Sequence, residues 1–178
     1  SVDKHDVNGR SAKSFIDEGR WEKVLSRIKP GDYVVIQFGH NDEKSRETLH
    51  TDPGTTFDAN LERFVNEARE RGANPILMNA IVRRNFLAHI TASGNQTEGD
   101  TLYDTHGAYL DSPRNVAKKL NVPFVDANKI THDLVQGLGR EESKKLYMWV
   151  EPNTVPAVPK GSVDNTHLNI YGARVVAG

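Results

Sequence analysis

The sequence predicts a three-layer α/β/α sandwich built around a mostly parallel sheet. Three apolar runs bounded by turn residues, at 31–38, 74–80 and 122–126, are typical of short buried strands. Segments with helical apolar spacing lie between them, and strands that alternate with helices form right-handed crossovers in a parallel sheet. With 178 residues, 37% of them apolar, the chain is long enough for one domain spanning 1–178.

The N-terminal part is predicted to contain a capped helical turn and then a longer helix. The segment 8–11 is a turn signal, and Ser11 or Ser14 is expected to cap the helix that follows it. Apolar residues then recur at helical spacing, and Gly19 divides this pattern into a short turn and a proper helix. Pro30-Gly31 ends the second of these elements.

The run 31–38 is the central element of the prediction. Its apolar, β-branched and aromatic residues indicate a strand buried on both faces. The strand ends at Gly39, and three polar residues, His40, Asn41 and Asp42, follow directly. Ligands of open α/β sheets bind beyond the carboxyl ends of the strands, so this loop is expected to carry chemistry. Asn41 offers an amide N–H to a developing negative charge, whereas Asp42 is expected to hold the loop through backbone hydrogen bonds.

The middle of the chain continues the alternation of helix and strand. A polar loop leads to a helix that begins at Thr55 or Thr56 and ends near Gly72, and the strand 74–80 comes next. The segment 81–106 is predicted to be a long irregular connection. Its position at the end of a strand favours a functional role.

The C-terminal part is predicted to be helical with one long loop. The Ser-Pro pair at 112–113 starts a helix, and the segment 128–147 is expected to be helical with a break at 137–139. The proline-rich segment 148–162 is expected to be a loop, and a final helix begins near Asn169.

Asp164 and His167 lie three residues apart on the segment that enters this last helix. At this spacing a carboxylate and an imidazole can share a hydrogen bond, which fixes the histidine tautomer and stabilises the imidazolium. A general base in acyl transfer needs that arrangement. The same pattern also occurs as a helix N-cap Asp beside a surface His, so the pair alone leaves both interpretations open.

Composition argues against several classes of partner and cofactor. The net charge of −1 offers no field for nucleic acid or an anionic membrane, and no apolar run approaches the roughly 20 residues of a membrane span. There is no cysteine, and the histidines lack a ligand spacing such as H-E-x-x-H, so no metal site is predicted. No cofactor is expected, and the oligomeric state stays open.

Four stretches, taken in their order along the chain, resemble the SGNH (GDSL-type) hydrolases and, within them, the rhamnogalacturonan acetylesterase branch of carbohydrate esterases. They are 7–15, 31–42, 104–107 and 164–169. The resemblance spans nearly the whole chain and implies a flavodoxin-like SGNH hydrolase fold. It also implies a serine esterase that acts on acetylated plant cell-wall polysaccharide, with rhamnogalacturonan as the expected substrate. No role is derived for 104–107.

The resemblance assigns roles to four positions. Gly9 matches the glycine whose backbone N–H forms part of the oxyanion hole, and Asn41 matches the asparagine whose side-chain amide completes it. His167 matches the base that activates the nucleophile, and Asp164 matches the residue that orients this histidine.

One element of the family pattern is missing. The nucleophilic serine of these enzymes lies in a Gly-Asp-Ser motif after the first strand, but the two Gly-Asp pairs here are followed by Tyr33 and Thr101. We therefore expect a truncated part of a longer protein that lacks the first strand and helix, and no esterase turnover from the 178 residues alone. Ser11 and Ser14 lie near Gly9 but are expected to serve as helix caps.

His40 and Arg83 are the candidates for substrate binding. His40 lies within the oxyanion loop, where it either touches the sugar or packs beneath the loop. Arg83 follows the second predicted strand, and an arginine suits the carboxylates of an acetylated pectic polysaccharide or oligosaccharide, with a solvated loop arginine as an equal alternative. A polymeric substrate implies a secreted or periplasmic protein.

Two other functions remain as alternatives. An SGNH lipid esterase or thioesterase would need an apolar acyl tunnel, which the polar segments 43–56 and 81–106 argue against. A non-catalytic carbohydrate-binding protein that has lost its nucleophile would have no use for Asp164 and His167, and their retention argues mildly against it.

Overall fold

A computed structural model describes residues 1–90, 92–94 and 96–178, with the backbone alone at 88–90 and 96–98. Within these residues the strands are β1 (Tyr33–Gln37), β2 (Asn74–Met78), β3 (Phe86–Ile90), β4 (Gln96–Leu102), β5 (Phe124–Val125), β6 (Tyr147–Val150) and β7 (Ser162–Leu168). The α-helices are α1 (Ala12–Asp17), α2 (Arg20–Arg27), α3 (Thr56–Glu70), α4 (Asp111–Leu120), α5 (Ala127–Glu142) and α6 (Ile170–Ala177). Short 3₁₀ turns at Gly107–Leu110 and Ser143–Leu146 precede α4 and β6.

The chain divides into two compact units. The sheet unit comprises residues 1–80 and 106–127, and the ribbon unit comprises residues 81–105 and 128–178. The single domain expected from chain length remains a prediction.

The sheet unit contains the predicted parallel sheet. Its strand order is β1-β2-β5, with Tyr33 opposite Asn74, Gln37 opposite Met78, and Leu77 opposite Phe124. Helices α3 and α4 pack against this sheet, which confirms the α/β class. The core of the unit includes Ile36, Leu77 and the aromatic side chains of α3, and its hydrophobic members are buried as the apolar pattern predicts.

The prediction that the central strand is buried on both faces is wrong for one of them. Val34 and Ile36 belong to the core side, but Tyr33 is 74% exposed and Val35 is 60% exposed. β1 is an edge strand of the three-stranded sheet, and the helices of this unit pack on the Val34 and Ile36 face. Because side chains alternate along a strand, one half of the apolar run packs into the core and the other half is exposed on the opposite face of the sheet.

The predicted helix signals at the N-terminus are confirmed. Ser11 is the N-cap of α1 and accepts a hydrogen bond from the Ser14 amide, while the Ser14 hydroxyl accepts one from the Ser11 amide. Gly19 separates α1 from α2 with a left-handed backbone, φ 74°.

The ribbon unit departs most from the prediction. The segment 81–106, expected to be irregular, contains the antiparallel pair β3–β4. The segment 148–162, expected to be a loop, begins within β6 and ends at the first residue of β7, and these two strands pair antiparallel. Residues 91 and 95 of the first segment lie outside the described residues. The sequences of β4 and β7 are polar and contain Gly, Asp or Asn, so side-chain propensity does not reveal strands that backbone pairing with a neighbour stabilises.

Helix α5 confirms the predicted helical segment and its break. The backbone leaves the helical region at Gly139, φ 80° and ψ 175°, inside the 137–139 segment where the break was expected. Residues Val82, Phe86, Leu102, Val135, Leu146 and Tyr147 form the buried core of this unit. Across the described ranges, no helix combines the length and apolar character that crossing a membrane requires.

Candidate active site

The loop after β1 lies against the Gly9 turn within the sheet unit. The side-chain amide of Asn41 donates to the carbonyl oxygen of Arg10 at 3.2 Å, across 31 positions of sequence. Gly9 has φ 77°, a conformation that side-chain-bearing residues rarely adopt. The structure therefore brings together the two segments that carry the predicted oxyanion donors, Gly9 and Asn41.

Asp42 connects the loop after β1 to the segment that follows Gly9. Its fully buried carboxylate accepts the Ala12 amide at 3.0 and 3.1 Å and the Thr51 hydroxyl at 2.7 Å. Burial raises the pKa of Asp42 to about 6, although the hydrogen bonds from Ala12 and Thr51 act in the opposite direction. Asp42 thus ties the start of α1 to the loop after β1, in agreement with the holding role expected for it.

A buried histidine completes the support of this loop. His106 is 3% exposed, and its Nδ1 lies 2.9 Å from Oε2 of Glu43. The ring of His40 packs edge-to-face against the ring of His106 with centroids 4.6 Å apart, and its role toward a substrate stays a prediction. Sequence reasoning noted the stretch around His106 but missed its partnership with Glu43, which lies 63 positions away.

The predicted Asp164–His167 hydrogen bond is present in the ribbon unit. Nδ1 of His167 lies 2.8 Å from Oδ2 of Asp164, and Oδ1 accepts the amides of Thr166 and His167 at 2.7 and 3.0 Å. Burial by itself raises the pKa of Asp164, but the hydrogen bonds from His167 and Thr166 outweigh it and hold this pKa below its ordinary value. The His167 side chain is 56% exposed, which leaves its ring open to solvent. A carboxylate and an imidazole in this geometry can act as an oriented base.

The remaining candidates take less distinctive positions. Arg83 lies half-buried after β2 and donates from Nη1 to the Thr105 hydroxyl at 2.9 Å, so its role toward a substrate stays a prediction. Ser11 and Ser14 are buried and use their hydroxyls in the capping box, as their assignment to capping requires. Among the residues that the structure describes, no group of three or more His, Asp or Glu side chains is arranged to hold a metal ion.

Sequence comparison places this chain beside known esterases. A family model described as the GDSL-like lipase/acylhydrolase family matches residues 2–175. The rhamnogalacturonan acetylesterase RhgT of Bacillus subtilis is 40% identical over 99% of this chain and 70% of its own length. A rhamnogalacturonan acetylesterase of Emericella nidulans is 29% identical over 96% of this chain and 68% of its own length.

Comparison of structures gives the same fold. The crystal structure of the YXIM protein of Bacillus subtilis matches with a TM-score of 0.75 at 22% identity. The match covers 99% of this chain and 43% of that one, so the present chain spans less than half of this larger protein. Together with the family match, this likeness confirms the predicted SGNH-type α/β sandwich.

Proposed function

This chain belongs to the GDSL-like lipase/acylhydrolase family, and we propose that it is the oxyanion- and base-bearing part of a serine esterase that removes O-acetyl groups from rhamnogalacturonan. The observation that carries the proposal is the 40% identity to an acetylesterase of that polysaccharide along 99% of this chain. The contact between Asp164 and His167 supports it independently, since acyl transfer requires an oriented base.

The proposed mechanism assigns the steps of acyl transfer to four residues. Nε2 of His167 takes the proton of a serine hydroxyl, while the Asp164 carboxylate at Nδ1 stabilises the imidazolium that forms. The amide of Asn41 and the backbone N–H of Gly9 donate to the oxygen of the tetrahedral intermediate. The serine oxygen adds to the acetyl carbonyl carbon, and the imidazolium protonates the sugar oxygen as its bond to that carbon breaks. Water then adds to the acyl-enzyme with His167 again acting as base, which releases acetate and restores the serine. This route uses no cofactor.

The nucleophilic serine is proposed to lie outside these 178 residues. No Gly-Asp-Ser occurs in the sequence, and the hydroxyls of Ser11 and Ser14 are already engaged in capping α1. His40 and Arg83 are proposed to contact the sugar and the galacturonate carboxylates of the polymer. A substrate of this size favours a secreted or periplasmic location.

The decisive experiment compares two polypeptides. We expect the 178-residue chain to release no acetate from acetylated rhamnogalacturonan and to give no burst with 4-nitrophenyl acetate. A longer natural polypeptide that includes a Gly-Asp-Ser segment is expected to turn over both substrates. In it, Asn41→Ala should lower kcat by roughly 10²–10³-fold with little change in KM, since an oxyanion donor acts in the transition state.

Four outcomes would contradict the proposal. Burst kinetics from the 178-residue chain would mean that it carries its own nucleophile. A His167→Ala variant of the longer polypeptide with unchanged kcat would remove the assigned base. In the longer polypeptide, a preference for long-chain acyl esters over acetyl esters would favour a lipid esterase. Binding of the oligosaccharide by the longer polypeptide without acetate release would favour a carbohydrate-binding protein.

A further inference from the structure

The segment that carries Asp164 and His167 is an outsized bulge in the β6–β7 ribbon. Tyr147 pairs with Leu168 and Trp149 pairs with Val163. One residue therefore separates the paired positions on β6, whereas the four residues 164–167 separate them on β7. A bulge leaves extra backbone groups without ladder partners, so these groups need hydrogen bonds from elsewhere.

Two residues supply those hydrogen bonds. Asp164 accepts the amides of Thr166 and His167, which closes the bulge on itself. The backbone N–H of Arg84 donates to the Asn165 carbonyl oxygen at 2.8 Å, which attaches the bulge to the interior of the ribbon unit. Asn165, which directly follows Asp164, lies 81 positions from Arg84 in the sequence.

The Arg84 side chain holds the same residue a second time. Its Nη1 donates to Oδ1 of Asn165 at 3.1 Å, and the indole N–H of Trp149 donates to that same oxygen at 2.9 Å. Two N–H groups that converge on one atom require an acceptor there, so the amide orientation of Asn165 is determined by its donors. Asn165 is therefore held by hydrogen bonds to its backbone carbonyl and to its side-chain oxygen.

The other contacts of Arg84 make it a rigid anchor. It is 0% exposed and donates from Nε to the Arg140 carbonyl and the Ser143 hydroxyl, both at 3.1 Å, and from Nη2 to the same carbonyl. Its guanidinium carbon lies 5.3 Å from the ring centroid of Phe86 and 5.2 Å from that of Trp149. A planar fork with five donors can make these contacts together, and a lysine ammonium cannot.

The contact between the Asp164 carboxylate and the His167 ring is exposed to solvent. The two side chains are 30% and 56% exposed, and an ion pair at such exposure contributes little and costs side-chain entropy. We propose that Arg84 is a positioning residue. It orients the Asp164–His167 pair by fixing Asn165, which lies between these two residues in the sequence. This inference rests on the proposed function for the role of His167, but the geometry it describes does not require turnover.

The test measures the tautomer of His167 in the 178-residue chain. The two ring nitrogen shifts, recorded by NMR through the carbon-bound ring protons, report which nitrogen carries the proton when the ring is neutral. In the wild type we expect the proton on Nδ1, opposite the Asp164 carboxylate. Arg84→Met and Asn165→Ala should each raise the Nε2–H to Nδ1–H ratio several-fold, with Arg84→Lys intermediate.

A matched core variant separates positioning from general loosening. Val135 is buried in the hydrophobic cluster that contains Phe86 and packs against Trp149. Val135→Ala should leave the His167 nitrogen shifts unchanged. If Arg84→Met does not fold, Asn165→Ala and Trp149→Phe carry the test, because both alter the clamp at the half-buried Asn165. Unchanged nitrogen shifts in folded Arg84→Met or Asn165→Ala, or an equal change in Val135→Ala, would overturn the inference. Failure of the longer polypeptide to release acetate would instead contradict the proposed function and leave the tautomer result standing.

Discussion

The loop after β1 and the 164–167 bulge both present polar side chains, yet buried groups of opposite charge hold them. Behind Asn41, the Asp42 carboxylate accepts N–H and O–H donors from Ala12 and Thr51. Behind His167, the Arg84 guanidinium donates to oxygen acceptors that include Asn165. Each buried group pairs with neighbours of the complementary hydrogen-bonding role. Asp42 accepts from the Ala12 amide at the start of α1, whereas the Arg84 guanidinium donates to the side-chain oxygen of Asn165 and to the carbonyl oxygen of Arg140.

This difference has a consequence for the response to pH. Burial brings the pKa of Asp42 to about 6, so its charge changes within a common working range. The support of the sheet-unit loop therefore titrates.

The largest expected effect is the removal of the Asp42 carboxylate. Asp42→Ala leaves the Ala12 amide and the Thr51 hydroxyl without their buried acceptor, at a cost of about 1–3 kcal/mol for each group. We expect a loss of roughly 2–5 kcal/mol in the free energy of unfolding, measured by urea titration with fluorescence of the two tryptophans. A loss below about 1 kcal/mol would mean that water replaces the carboxylate at no cost.

The pH dependence of the same group sharpens the comparison. The folded-state pKa of about 6 lies above the ordinary value of 3.8, so the folded state binds the Asp42 proton more tightly and loses stability as pH rises through this window. With about 1.4 kcal/mol per pKa unit, the stability of the wild type relative to Asp42→Asn should fall by up to about 3 kcal/mol from acid to neutral pH. Urea titrations of both proteins at several pH values measure this difference. A difference that is constant or grows with pH would contradict the assignment.

The smallest expected effect belongs to the exposed pair of the ribbon unit. Asp164→Ala removes a partly exposed carboxylate whose lost partners can bond to water, so the free energy of unfolding should fall by no more than about 1 kcal/mol. The same urea titration measures it, with Asp42→Ala as the reference. A loss as large as that of Asp42→Ala would show that the bulge depends on Asp164 rather than on the buried anchor.

Sequence by itself determined the features that depend on neighbours along the chain. The capping of α1 by Ser11, the break at Gly19, the break at Gly139 and the contact between Asp164 and His167 all involve residues within a few positions of one another. The apolar runs likewise predicted the strands of the parallel sheet, because burial requires apolar side chains whatever the partner is.

Only the tertiary structure decided which distant groups meet. The pairing of β6 with β7, the open face of β1 at Val35, the contact of His106 with Glu43 and the clamp of Arg84 on Asn165 leave no periodic signal in the sequence. Arg83 and Arg84 are identical residues side by side, and one is half-buried while its neighbour is fully buried. The physical reason is that a polar side chain is stable in the interior only where folding delivers its partners, and those partners come from remote parts of the chain.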